Sequence, residues 1–454
     1  VKSDTPGRLG TFDPKEFLKK DASPARVKLA RALDLSNARN IPDHGYAGGV
    51  VIDSSGLILT PYHVVAGATR IHVFLPGGIG SYADIHAADA RSDLAVLKLI
   101  DPPAQLKPIK FASVRTPEQA GHRATVTTGK LVVLMTYPYT SSFRFDQPTA
   151  AHGAITNVRK RLVHPRREPV ATVEKLASQY KCGTLFEHDV RVNGPVSGGA
   201  LLNLDGELVG LTTAGAVVFD RELGPGYAIP ADDNFRRLVE VLRKGEEIEY
   251  GFLGVQLPAD TASEIRLLEV TENGPADVAG LRSGDRVTHI NGSAVATFDD
   301  LMLHIGCALA GSTVRLKVAR FNERLDFDVT LGKYKNDQPY IASVRPEPVF
   351  GLRVDFATTR TVPIGQPRKF GRGRQEQGVP VGVWVRDVVP DSPAAAKFKT
   401  LGDRPDQWMV LRVNGTTISN PAEFYRAAKD REKVTLTLRD PIDPAARERE
   451  LTLP

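Results

Sequence analysis

Leu57-Ile-Leu-Thr-Pro-Tyr-His-Val-Val-Ala66 reads as a buried strand that ends on a proline and presents a histidine, His63, at the turn beyond it. Two other stretches place a reactive residue at the end of an apolar run. Asp93 stands directly before Leu94-Ala-Val-Leu-Lys-Leu99, at the mouth of a second buried strand, where a carboxylate is costly unless it is hydrogen bonded. Ser197 lies in Asn193-Gly-Pro-Val-Ser-Gly-Gly199, and its two following glycines allow close backbone approach before Leu201-Leu-Asn-Leu-Asp-Gly206 begins a hairpin. Taken singly, the histidine reads as structural, the aspartate as a turn residue and the glycines as a loose loop. In the chain order His, Asp, Ser within a β-rich region they form a known nucleophile set, in which imidazole takes the hydroxyl proton and a carboxylate fixes its tautomer.

The surroundings of these stretches support a β architecture. Val50-Val-Ile52, Ser54-Ser-Gly56 and Leu57 to Thr60 spell strand, turn, strand. Further strands are predicted at Ile71 to Leu75, Leu94 to Leu99, Thr125 to Thr128, Leu131 to Thr136, Leu201 to Leu204 and Leu208 to Thr213. Gly, Pro, Asp and Asn clusters separate them, which suits an antiparallel barrel or sandwich. Phe235, Leu238, Val241 and Leu242 recur at helical spacing, so Asp232 to Lys244 is predicted as a helix that closes this region at Gly245.

Two later regions share one plan. The first holds Leu267 to Val270, Gly274-Pro-Ala276, Gly284-Asp285 and Val287 to Asn291-Gly292; the second holds Val383 to Val388, Ser392-Pro-Ala394 and Val410 to Asn414-Gly415. Each sets a small-residue helix start after a strand and ends a later strand on Asn-Gly, the dipeptide that best tolerates the positive angles of a tight turn. Phe298 to Ala310 and Pro421 to Lys429 are predicted as helices, each followed by alternating strands.

At 454 residues the chain exceeds one core, and about three domains are expected. Apolar residues are 41% and charged residues 25%, and the longest apolar stretches, such as Leu131 to Met135, are too short to cross a bilayer. Val1 to Gly10 carries no signal-peptide pattern. The two cysteines, Cys182 and Cys307, fall in different regions and read as free thiols. The net charge of +6 gathers partly at Arg159 to Arg167 and Arg368 to Arg374, which lack interleaved aromatics and read as solvated loops, so no nucleic acid partner is expected.

Thr60-Pro-Tyr-His-Val-Val-Ala-Gly67, Arg91-Ser-Asp-Leu-Ala-Val-Leu-Lys98, Ser197-Gly-Gly-Ala-Leu-Leu-Asn-Leu-Asp-Gly206 and Gly226-Tyr-Ala-Ile-Pro230 resemble the HtrA/Deg family of trypsin-like serine proteases. The resemblance runs from about Gly45 through the two repeats, which resemble PDZ domains. It implies a mainly β fold, a chymotrypsin-like double β-barrel followed by two PDZ-like α/β domains. The expected division is a leader at 1–42, a protease domain at 43–247, a first PDZ domain at 248–335 and a second at 336–454 with an insertion near 357–378. It further implies that His63, Asp93 and Ser197 form the catalytic triad and that Leu211, Thr212, Thr213 and Ala214 pair with the substrate backbone. Phe252, Leu253, Gly254 and Val255 would receive a peptide C-terminus. No cofactor and no metal is expected. The implied activity is ATP-independent cleavage of misfolded or exposed polypeptide by a homo-oligomer, commonly trimer-based, in the periplasm or outside the cell.

Several positions depart from the family pattern. Its oxyanion hole uses the N–H of the serine and of the residue two before it, a glycine in Gly-Asn-Ser-Gly-Gly; here that position is Pro195, which has no N–H. Loss of one such donor typically lowers turnover by about 10² to 10³. The alternative expectation is therefore a catalytically impaired, protease-like scaffold or chaperone that binds peptides through its PDZ domains. Val196 replaces a polar residue, a basic insertion spans about Arg159 to Gly183, and the second repeat's Val349-Phe-Gly-Leu-Arg353 fits the peptide-binding loop less well than Gly251-Phe-Leu-Gly-Val255.

Overall fold

The computed structural model describes residues 2–4, 44–77, 79–115, 125–137, 147–160, 183–191, 196–213, 226–257, 265–335, 341–363, 377–402, 404–443 and 447–454. The chain divides into two compact units, residues 1–248 with 340–344, and residues 249–339 with 345–454.

In the first unit, Val50–Asp53 and Leu57–Pro61 pair antiparallel around Gly56, whose φ of +96° is open to glycine. Leu57–Pro61 is buried along its length because a second strand, Leu94–Leu99, covers its other edge. Their register, from Leu57 opposite Lys98 to Pro61 opposite Leu94, brings the residues just beyond Pro61 beside the residue just before Leu94. The sheet continues through Ile79–Asp89 and Ile71–Leu75 to Lys2–Asp4 and His44–Tyr46, and Ile341–Ala342 also pairs with Ile79–Asp89. Lys2–Asp4, within the expected leader at 1–42, is a strand through backbone pairing with both His44–Tyr46 and Ile71–Leu75. Ile58, Ile71, Val73, Ala95, Leu97 and Leu99 form the core, the Ile, Val and Leu side chains each contributing about 1.5–3 kcal/mol when fully buried.

Six strands close the second barrel of this unit in the order Thr184–His188, Gly226–Pro230, Leu208–Thr213, Ala200–Leu202, Leu131–Thr136, Thr149–Lys160. Phe186, Leu134, Ile155 and Leu211 are fully buried within it. Thr125 to Thr128 is not a strand, against expectation: Lys130 N–H bonds the Thr127 carbonyl and Gly129 sits at φ +86°, so the segment is spent on a turn into Leu131–Thr136. The predicted helix is Asp233–Arg243, capped by the Asp232 carboxylate accepting the Phe235 N–H at 2.9 Å, with Phe235, Leu238, Val239 and Leu242 buried.

The second unit contains both repeats. In the first, Ser293–Ala294, Arg286–Ile290, Thr313–Arg320 and Glu323–Thr330 form a sheet beside the helix Phe298–Ile305. In the second, Leu352–Phe356, Val383–Val388, Met409–Val413, Val434–Arg439 and Arg449–Leu453 do so beside Pro421–Ala428. The Asn-Gly turns match in detail. Asn291 and Asn414 have φ of +48° and +50°, and their side-chain oxygens accept the N–H of Arg315 and of Thr435 at 2.9 and 2.8 Å. Each repeat has its own core.

A third apolar cluster joins the repeats, with Phe252 of the first packed against Val379, Trp384 and Met409 of the second. Beside it Lys333, 1% exposed, places its ammonium 2.9 Å from Glu249 and 3.2 Å from Asp355.

Candidate active site

The register described above sets the histidine and aspartate together. Beyond Pro61 the chain turns into the short helix Tyr62–Val65, and the backbone of Asp93 accepts the Tyr62 N–H at 3.0 Å. Asp93 is wholly buried at φ +53°, and its Oδ1 also accepts the His63 backbone N–H at 2.9 Å. Its two oxygens lie 3.0 and 2.9 Å from His63 Nδ1, and Oδ2 accepts the Thr213 hydroxyl at 2.9 Å. A carboxylate only accepts, so Nδ1 carries the proton and Nε2 is left with its lone pair. Nε2 is 3.3 Å from Ser197 Oγ. His63, Asp93 and Ser197, read from three separate motifs, are thus brought into one line.

The serine loop is clamped in part by two residues to which the sequence reading gave no role, Gly48 and Thr60. Gly48 N–H donates to the Ser197 carbonyl at 2.7 Å, and the buried Thr60 hydroxyl donates to the Gly48 carbonyl at 2.9 Å. A Cβ on Gly48 would stand 2.6 Å from the Gly198 carbonyl group, so only glycine lets the two backbones meet. Gly198 N–H donates to the Thr212 carbonyl at 2.7 Å, Thr212 N–H to the Gly199 carbonyl at 2.9 Å, and the Thr212 hydroxyl bonds the Val196 carbonyl. The signal for Gly48 was present as the start of the apolar run at Val50, but its partner lies far along the chain. Among the described residues the Ser197 N–H meets no acceptor.

Leu211 and Thr212, expected to pair with substrate, are bonded on both edges within the barrel, to Ile229 and Ala228 on one side and to Ala200 and Gly199 on the other. Their ladder positions are therefore taken, and Thr213 pairs with Tyr227. Ala214, Pro195 and the insertion at 161–182 with Cys182 lie outside the described residues, as does Arg368 to Arg374. Cys307 is buried.

His188, on Thr184–His188, is 1% exposed, and among the described residues neither ring nitrogen has a hydrogen-bond partner. Burial lowers its pKa from 6.5 to about 4, against a smaller opposing pull from Asp189. Glycine at Gly226 makes room for it, since a Cβ there would lie 2.2 Å from the ring.

In the first repeat Leu253 is buried in the core and Gly254 takes φ +81°. The N–H groups of these two residues meet no acceptor among the described residues. Val255 pairs with Val270, whereas Phe252 bonds Gly332 and turns its ring to the cluster shared with the second repeat.

Residues 47–211 match the trypsin-like peptidase domain family and residues 251–331 the PDZ domain family. A probable periplasmic serine endoprotease DegP-like of Brucella suis biovar 1 is 27% identical over 396 residues, 85% of this chain and 68% of that protein. The periplasmic pH-dependent serine endoprotease DegQ of Escherichia coli K12 is 27% identical over 415 residues, 89% of this chain and 80% of that protein. Among solved structures, the HtrA-type protease AlgW with decapeptide is 23% identical and covers 64% of this chain and 84% of its own at a TM-score of 0.46.

With these relatives and a trypsin-like peptidase domain, the chain is a serine endopeptidase. A match to the PDZ domain family follows the peptidase domain, as the resemblance to these relatives requires, and the chain is a protease of protein quality control. The reading as an impaired scaffold is not favoured.

Proposed function

We propose that Ser197 is the nucleophile, His63 the general base and acid, and Asp93 the carboxylate that orients the ring. The supporting observation is the single line from Asp93 through Nδ1 and Nε2 to Ser197 Oγ, with a buried carboxylate at one end and a half-buried hydroxyl at the other. Oγ attacks the scissile carbonyl as Nε2 takes its proton, and the imidazolium then returns that proton to the leaving amine. Asp93 stabilises the charged ring, and the Thr213 hydroxyl and the backbone N–H of His63 hold the carboxylate in place. The Ser197 N–H supplies one donor to the developing oxyanion. Pro195 supplies none, so turnover is set below that of a site with two donors.

The substrate class is unfolded or exposed polypeptide, paired as a strand with the chain from Thr213 onward. Chain ends dock on the free amides of Leu253 and Gly254, where a terminal carboxylate meets two donors and the chain adds beside Val255–Gln256. The two repeats are both PDZ domains, on the matched Asn-Gly turns and helix starts. The enzyme works in an exported compartment, a reading supported by the relatives named periplasmic, and as a trimer-based homo-oligomer. No helix among the described residues is long and apolar enough to cross a membrane.

A fluorophosphonate probe tests the catalytic assignment. Labelling of the chain and hydrolysis of unfolded casein, both lost in Ser197→Ala and His63→Ala, are expected. Labelling that survives Ser197→Ala would overturn it.

A further inference from the structure

The sheet that carries Asp93 is completed by residues from beyond the first repeat. Ile79–Asp89 pairs along one edge with Leu94–Leu99, and along the other with Ile71–Leu75 only as far as Ala83. Past that point the second edge is taken by Ile341–Ala342, with Ile341 opposite Ala88 and Ala342 opposite Ala87. The Ser343 N–H continues the ladder by donating to the His86 carbonyl at 2.9 Å, and the Val344 N–H donates to the Gly245 carbonyl at 2.9 Å. Residues 340–344 accordingly belong to the first compact unit, although the chain before and after them belongs to the second.

His86 and Gly245 receive this segment. Ser343 Oγ lies 2.8 Å from His86 Nδ1, and His86 Nε2 lies 3.2 Å from the Arg243 carbonyl at the end of the helix Asp233–Arg243. A carbonyl only accepts, so Nε2 carries the proton and Nδ1 takes that of the Ser343 hydroxyl. One ring thereby joins the strand, the helix and the added segment. Gly245, at φ +79°, leaves the space for them: a Cβ there would stand 2.6 Å from Ser343 Oγ and 2.7 Å from His86 Cε1.

The added segment lies at the root of the turn that presents Asp93. Asp89 and Ala88 stand opposite Leu94 and Ala95, so residues 89–94 turn a hairpin that has Asp93 near its end. The Asp89 Oδ2 accepts the Ser92 N–H at 2.6 Å, and Asp93 holds φ +53°. Ala87 and Ala88 are the rungs below this turn. With Ile341–Ala342 they are paired on both edges, and without it one edge of the strand lies open.

We propose that residues 341–343 are a bracing strand for the peptidase reaction: by closing the edge at Ala87 and Ala88 they fix the hairpin whose turn presents Asp93 to His63. The proposal rests on the assignment of Asp93 as the orienting carboxylate. Ser343, His86 and Gly245 are positioning residues that act on Asp93 through the backbone. The peptidase unit is then incomplete without a strand that arrives after the first repeat.

The test uses the full chain. Ser343→Pro, at an exposed position, removes both the N–H given to the His86 carbonyl and the hydroxyl given to its ring. On a peptide substrate kcat should fall about tenfold, less than the loss for a 1 Å misplacement, with KM held within about twofold. Ser343→Thr keeps both groups and should recover most of that loss. Hydrogen exchange, read in the inactive Ser197→Ala background, should quicken at residues 86–94 and stay as in the parent at 226–230. Ser343→Ala, which keeps the ladder and loses only the hydroxyl, should show the same changes in weaker form, so the outcome is readable even if the proline chain unfolds. Exchange at 86–94 equal to the parent's in both variants overturns the proposal, as does a folded Ser343→Pro chain at full kcat. An Asp93→Asn chain as active as the parent would instead overturn the assignment beneath it, and that result is independent of the exchange measurement.

Discussion

The Thr213 hydroxyl donates to Asp93 Oδ2 at 2.9 Å, tying the end of a strand in the second barrel to the carboxylate on the first sheet. The sequence reading makes Thr213 a substrate-pairing residue, and its side chain in addition holds the Asp93 carboxylate that faces His63. A hydrogen bond to a charged group contributes about 1.5–3 kcal/mol. Thr213→Val should therefore lower kcat about tenfold with KM little changed, while Thr213→Ser keeps most of the activity. Steady-state kinetics on a peptide substrate check this, and a Val variant as fast as the parent would remove Thr213 from the assignment.

Gly48 matters for a steric reason. With the Gly198 carbonyl 2.6 Å from where its Cβ would be, Gly48→Ala must push the serine loop away and lengthen the 3.3 Å approach of Ser197 to His63. Misplacement by about 1 Å is enough for a 10²-fold loss. The expected outcome is at least that loss in kcat/KM with a cooperative melt retained.

Acid should weaken the peptidase unit through His188. The unfolded ring takes a proton near pH 6.5, whereas the folded one, kept neutral by burial, resists until about pH 4. The unfolded state thus binds more protons between these values, and stability falls as pH drops from about 6.5 to about 4, then levels off. A window of this width corresponds to about 3 kcal/mol. Urea melts of the chain and of His188→Leu at pH 7.5, 5.5 and 4.5 should show the parent losing more, and parallel losses would contradict the account.

Pro195→Gly restores an N–H two residues before the nucleophile. An increase of about 10² in casein turnover is expected. Unchanged or slower hydrolysis would mean that Pro195 is not what limits the oxyanion hole.

Much of this site was legible because each residue proposed as catalytic sits at the end of an apolar strand, where local pattern and chemistry coincide. His63, Asp93 and Ser197 could be read that way, as could the helix Asp233–Arg243 and the repeated Asn-Gly turns. The residues that escaped act through the backbone or across long chain separations. Gly48 and Thr60 support Ser197 through main-chain bonds that carry no local periodicity. Lys2–Asp4 becomes a strand only through distant partners, and Thr125 to Thr128 has the composition of a strand but is spent on a turn. The loop at Val349–Arg353 looked inferior because side-chain identity was compared, while its likeness to the first lies in amides and φ angles.

The ammonium of Lys333, enclosed between Glu249 and Asp355, fastens the two repeats into a single piece. Take that cation away and two carboxylates are left at the seam without a counter-charge, so the join between the repeats, rather than either core, gives way first.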